Sequence, residues 1–84
     1  MAEGVARKGD ELDDGDAIID GPCSNNVFIN SKKAALKGDA TDPDVGDLDG
    51  SRNVYVNGED LQANGDETTL GSVITEASDN VFVG

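Results

Sequence analysis

The chain has no histidine and no tryptophan, and its 84 residues include one cysteine, two prolines, two phenylalanines and one tyrosine. Each scarcity excludes something. Without imidazole the commonest general base is missing, so Ser-His-Asp and Cys-His nucleophilic chemistry lacks its machinery. The lone Cys23 cannot make an internal disulfide, and one thiol without imidazole cannot build a structural zinc site within one chain. No stretch approaches the ~18 apolar residues of a membrane-spanning helix. The opening residues, MAEGVARKGDELDD, lack a signal peptide's apolar region. The chain is therefore expected to be made in a cytoplasm.

Basic residues are scarce too, six Lys and Arg against 18 Asp and Glu, for a net charge of −12. Such a surface repels phosphate backbones, so no nucleic-acid partner is expected. Runs of carboxylates read first as a solvated, solubilising face. Paired acids such as Asp13 and Asp14 are plentiful, but nothing marks a desolvated pocket to tune them, and no enzyme is expected. A chain of this size hides only about 60% of the surface it exposes when unfolded. An isolated monomer needs extensive backbone pairing, or a partner over one face.

What the sequence does contain is one β-forming word written three times. NNVFIN occupies residues 25–30, RNVYVN residues 52–57 and DNVFV residues 79–83, with Asn26, Asn53 and Asn80 evenly spaced. The units run over 15–39, 45–66 and 70–84, and the third lacks a tail that VARKGD, residues 5–10, supplies. Gly-Asp closes each unit, at Gly9-Asp10, Gly38-Asp39 and Gly65-Asp66. Residues 1–84 thus read as a single all-β domain of three β-hairpin repeats with approximate three-fold symmetry. Its N- and C-terminal segments pair, and that closure removes sheet edges that invite aggregation.

Short strands separated by turn formers carry the units. Asn57-Gly58 is a strong type I′ hairpin signal, since both central residues of that turn need positive φ, and Asn30-Ser31 occupies the same place. The strand residues Val27, Phe28 and Ile29 are consecutively apolar, as are Val54, Tyr55 and Val56, and Val81, Phe82 and Val83. A strand with one wet face alternates, so these triplets are expected to be covered on both sides, at a central axis and under a neighbouring unit. With Asn30 and Asn57 they are the candidate repeat and interface residues. Cys23 reads as a turn residue of low reactivity, because no cation or helix start lies near it in sequence.

NVFINSKKAALKGD and NVYVNGEDLQANGD, with VARKGD before them and NVFVG at the end, resemble the PAAR-repeat proteins. That family caps the spikes of type VI secretion systems and contractile phage tails. The matches are Val27, Phe28, Ile29, Asn30, Lys32, Ala34, Ala35, Gly38 and Asp39, then Val54, Tyr55, Val56, Asn57, Gly58, Gly65 and Asp66, then Ala6, Arg7, Gly9 and Asp10. The resemblance implies a small cone seated on the blunt end of a trimeric β-helical spike, its apex leading toward a target membrane. Three equivalent edges on such a spike are answered by three copies in one chain, so one chain per trimer and no homo-oligomer are expected. β-Augmentation is the expected mode of docking.

The chain departs from the family in two places. The Pro-Ala-Ala-Arg tetrad has become Lys33-Ala34-Ala35-Leu36 and Asp60-Leu61-Gln62-Ala63. Many members also hold zinc or iron near the apex through His and Cys that follow the Gly-Asp pairs. Here Asp14 and Leu70 stand at those places, so no metal ligand and no cofactor are expected. DELDDGD and DPDVGDLDG offer oxygens of the kind calcium or magnesium prefers, but Gly46 and Asp47 break the EF-hand pattern. The competing reading is an acidic β-domain that binds calcium or mimics nucleic acid.

Overall fold

The computed structural model describes residues 3–51 and 54–83. Asn53 of the evenly spaced asparagines, and Gly84 at the end of the third unit, lie outside the described residues. Eight short strands follow in chain order: β1 Glu3–Gly4, β2 Ile18–Gly21, β3 Phe28–Ile29, β4 Lys32–Lys33, β5 Ala40–Asp42, β6 Tyr55–Val56, β7 Glu59–Asp60 and β8 Phe82–Val83. No helix occurs among the described residues, and the domain is all-β. It is compact, with extents of 26 × 25 × 22 Å.

The Gly-Asp pairs explain why so little regular structure suffices. Gly9, Gly38 and Gly65 hold φ of 91°, 93° and 93°, a region that glycine enters without steric penalty. Each closes a tight turn in which the amide of Asp10, Asp39 or Asp66 donates to the carbonyl of Arg7, Leu36 or Ala63, at 3.0, 3.1 and 3.0 Å. The aspartate carboxylate then reaches back and accepts the amide of that same earlier residue, at 2.8, 2.7 and 2.9 Å. Backbone and side chain thus clamp the same four residues from both ends.

Those turns present three central segments to one another. The Ala6 amide donates to the Gln62 carbonyl, Gln62 to Ala35, and Ala35 back to Ala6, at 2.9, 3.0 and 3.0 Å. A second circuit joins Lys8 to Lys33, Lys37 to Asp60 and Asn64 to Gly4, at 2.8, 2.8 and 2.9 Å. Both circuits close on themselves, so no central segment is left with an open edge. Small side chains permit the approach, since Ala6, Ala34, Ala35 and Ala63 are fully buried.

The chain ends complete the closure. β1 pairs antiparallel with β8, Glu3 opposite Val83 and Gly4 opposite Phe82. The Val5 amide donates to Val81 at 2.9 Å, as Ala34 does to Val27 and Leu61 to Val54 at 3.0 and 2.9 Å. The terminal pairing expected from the sequence is present. β2 and β5 form a further antiparallel pair, with a register shift between Ile19 and Gly21.

Two apolar clusters lie on either side of the circuits. One gathers Ala6, Leu12, Ala17, Ile19, Cys23, Ala35, Leu48 and Ile74, and the long loops pack on it. The other gathers Val5, Ala34, Leu36, Leu61, Ala63 and Val83, with the hairpin strands against it. Hairpins and loops therefore occupy different sides of the core.

Both hairpins turn through residues of positive φ, Asn30 and Ser31 at 54° and 68°, Asn57 and Gly58 at 54° and 83°. Ser31 thus carries a left-handed backbone that costs an ordinary residue about 1–2 kcal/mol. Glycine removes that penalty but loses more chain entropy on folding, about 0.5–1 kcal/mol. Ser31→Gly is expected to raise Tm by about 3 °C in a domain of this size, read by calorimetry. A lowered Tm would contradict the turn geometry.

Candidate docking face and loop end

The three apolar triplets are held alike, each by the carbonyl of its first residue, but they are not covered on both sides. Phe28, Tyr55 and Phe82 are 54%, 63% and 54% exposed. This corrects the expectation from sequence. Val27, Ile29, Val56 and Val81 are half-buried against the second cluster, and Val83 belongs to it. Val54 is itself exposed. The reason is the pleat: β3–β4, β6–β7 and β1–β8 are separate two-stranded sheets, so the middle side chain of each triplet points away from the core with no layer over it. Each unit presents one aromatic ring outward.

The turn asparagines tie units together. Asn30 Nδ2 donates to Asn80 Oδ1 at 2.9 Å, while its Oδ1 accepts from Ser78 Oγ at 2.6 Å and Arg7 Nη1 at 3.1 Å. Asn57 Nδ2 donates to Asn26 Oδ1 at 3.0 Å and to Ser24 Oγ at 3.4 Å. These two candidates from the sequence are bound within the domain, whereas the aromatics beside them are open.

Beneath the hairpins lies a buried ion pair. Arg7 grips Asp10 with a fork, Nε to Oδ2 at 2.9 Å and Nη2 to Oδ1 at 3.0 Å, with side-chain exposures of 11% and 0%. The hydrogen bond to Asp10 raises the Arg7 pKa above its ordinary value, against the opposing effect of burial. Charge-assisted bidentate pairs of this kind fix geometry as well as energy. Lys37 and Asp49, at 3.9 Å and half-exposed, add little.

Cys23, read from sequence as a turn residue of low reactivity, is buried. It has φ of 63° and belongs to the first apolar cluster. Its amide donates to Asp39 Oδ1 at 3.0 Å. Burial, then the neighbouring Asp39 carboxylate, pushes the thiol from its ordinary 9.0 up to about 12. Thiolate is the reactive form. At pH 8, iodoacetamide should label native Cys23 about 100-fold more slowly than the denatured chain. Equal rates, followed by mass spectrometry, would place the thiol outside the core.

At the loop end stand Asp14 and Leu70, at the places where the resemblance puts metal ligands. Leu70 is 73% exposed and has no donor atom. Asp14 Oδ2 meets the Ser72 hydroxyl at 3.5 Å, and Asp13 Oδ1 accepts the Val73 amide at 3.0 Å. Among the described residues no group of three or more Cys, Asp or Glu side chains is placed to hold an ion. Histidine is missing from the sequence altogether.

Sequence reasoning passed over Gln62. Where two units place alanine in the central circuit, the third buries this glutamine completely. Its Oε1 accepts the Gly50 amide at 2.8 Å and its Nε2 donates to the Gly50 carbonyl at 2.9 Å. The side chain acts as a short strand, pairing both polar groups of the Gly50 backbone. The only local signal is length, since Leu48 to Asn53 is two residues shorter than Ile19 to Asn26.

A family model described as PAAR motif matches residues 8–76. Neither a curated protein nor a solved structure matches the chain.

Proposed function

This chain belongs to the PAAR-motif family, and from that premise we propose that it caps the blunt end of a trimeric β-helical spike as a single subunit. PAAR proteins are structural spike-tip proteins of contractile injection systems and associate with spike proteins. The chain's place is the tip of a phage tail baseplate or of a secreted type VI spike. In that position it narrows the spike to a point and concentrates force on a target membrane, which it touches transiently.

The observation that carries the reading is the trio Phe28, Tyr55 and Phe82. Each is exposed, each sits one residue after the carbonyl that anchors its triplet, and each belongs to a different unit. Exposed aromatics set beside aliphatic residues that pack on the core are the composition of an interface centre. Three such anchors on a closed backbone circuit suit a seat with three equivalent sides, and one chain answers all three. The family is not an enzyme family, and the reading calls for no catalytic residue and no cofactor.

Native mass measurement on the complex reconstituted with the spike protein of its own machine is expected to give one chain to three spike chains. The chain alone is expected to be monomeric. A stable homotrimer, or three chains per spike, would overturn the single-cap reading.

A further inference from the structure

The segments that follow the three Gly-Asp turns, 11–17, 40–47 and 67–73, meet at the loop end. The last of them lies between the other two. On one side the Asp13 amide donates to the Val73 carbonyl at 2.9 Å, and Leu12 bridges Ile74. On the other side the Thr69 amide donates to the Asp47 carbonyl at 2.9 Å, and the Asp47 amide donates back to Thr69 Oγ1 at 3.1 Å.

At the centre of this junction stands Thr68, 4% exposed. Its Oγ1 donates to the Val45 carbonyl at 2.6 Å and accepts from the amides of Ser72 at 3.1 Å and Leu70 at 3.3 Å. A hydroxyl has one proton and two lone pairs, so all of its capacity is used. Thr41 plays a smaller version of the part, donating to the Gly46 carbonyl and accepting the Val45 amide, both at 2.8 Å. The fit around the hydroxyl is close. A Cβ added at Gly46 would stand 2.7 Å from the Leu70 amide nitrogen and 2.9 Å from the hydroxyl oxygens of Thr68 and Thr69.

We propose that the Thr68 hydroxyl is the keystone of a metal-free tip, joining the 40–47 and 67–73 loops of this chain where an ion joins the loops in other members of the family. Three features of the junction point to this role. Val45, Leu70 and Ser72 converge on one oxygen, as ligands do on a metal. That oxygen is saturated by them, so it has nothing to offer an ion. Leu70 and Asp14, which stand where the family's ligands follow the Gly-Asp pairs, supply an apolar side chain and a single carboxylate, a set that borderline ions do not favour.

The test uses the isolated protein, so it is independent of whether a spike is capped. Elemental analysis of protein purified without added metal is expected to show no stoichiometric zinc or iron. EDTA should leave both Tm and amide exchange in 67–73 unchanged, because no folding energy resides in an ion. The Leu70 and Ser72 amides should be protected in the wild type, since both donate to a buried oxygen. Thr68→Val keeps the shape and removes the hydroxyl, and should speed exchange in 67–73 about tenfold or more, while Thr68→Ser stays near wild type. If Thr68→Val does not fold, the wild-type exchange and the metal content decide the matter. Near-stoichiometric zinc or iron, exchange that quickens on chelation, or unprotected Leu70 and Ser72 amides would overturn the proposal.

Discussion

Deleting residues 1–10 is expected to abolish the cooperative thermal transition. The deletion takes away Val5, Ala6 and Asp10, each at most 1% exposed, and one member of both hydrogen-bonded circuits. The Ala35 amide loses its acceptor and the Gln62 carbonyl its donor. Each buried polar group left unpaired costs about 1–3 kcal/mol, and losing the Val5 side chain about 1.5–3 kcal/mol more. Several such losses together match the whole stability of a small domain, about 5–15 kcal/mol. Asp10→Ala should approach this result with one substitution. It strands the Arg7 guanidinium and the Arg7 amide together, and breaking a buried pair from one side costs about 3–5 kcal/mol. Circular dichroism melts read both variants. A truncated chain melting within a few degrees of the intact one would show that the N-terminal segment is not part of the core.

The second large effect is on binding and leaves folding alone. Replacing Phe28, Tyr55 and Phe82 together by serine should weaken association with the spike by about 100-fold or more, since interface aromatics are commonly worth ~2 kcal/mol or more each. Tm should move little, because exposed side chains away from caps and networks usually shift stability by about 0.5 kcal/mol or less. Leu70→Ser is the control at the loop end and should leave spike binding unchanged. Sedimentation of cap and spike mixtures measures all of these. Undiminished binding by the triple serine variant would remove the aromatics from the docking face. Loss of binding by Leu70→Ser alone would place the seat at the loop end.

Local chemistry made much of the architecture legible. Asn57-Gly58 and Asn30-Ser31 announced hairpins because a type I′ turn needs positive φ at two adjacent residues, and few residue pairs tolerate it. The Gly-Asp pairs marked three tight turns because one residue supplies the positive φ and the next a carboxylate short enough to reach back three residues. Both requirements lie within four residues of chain. The terminal pairing was readable because residues 5–10 supply what the third unit lacks.

The exposed aromatics were legible only by composition. Three consecutive apolar residues signal that both faces of a strand avoid water, but they do not say whether the cover is the same chain or another molecule. Phe28 and Tyr55 are open in this domain because each hairpin has only two strands and no layer above it. Asn30 and Asn57, grouped with them by position, turn instead toward Asn80 and Asn26.

The sequence by itself determined the all-β class, the turn positions, the closing of the chain ends and the exclusion of imidazole chemistry, because each follows from residue type or from contacts across a few residues. Only the tertiary structure decided the rest. Cys23 passes from turn to core because Asp39 draws its amide inward. Gln62, where the other two central segments carry alanine, becomes a structural strut because Gly50 meets its amide group from twelve residues away. Thr68, one of many hydroxyls in the sequence, becomes a junction because Val45 arrives beside it from more than twenty residues away. These outcomes depend on which segments meet, and that is set by the closed circuits of the backbone, which no short stretch of sequence contains.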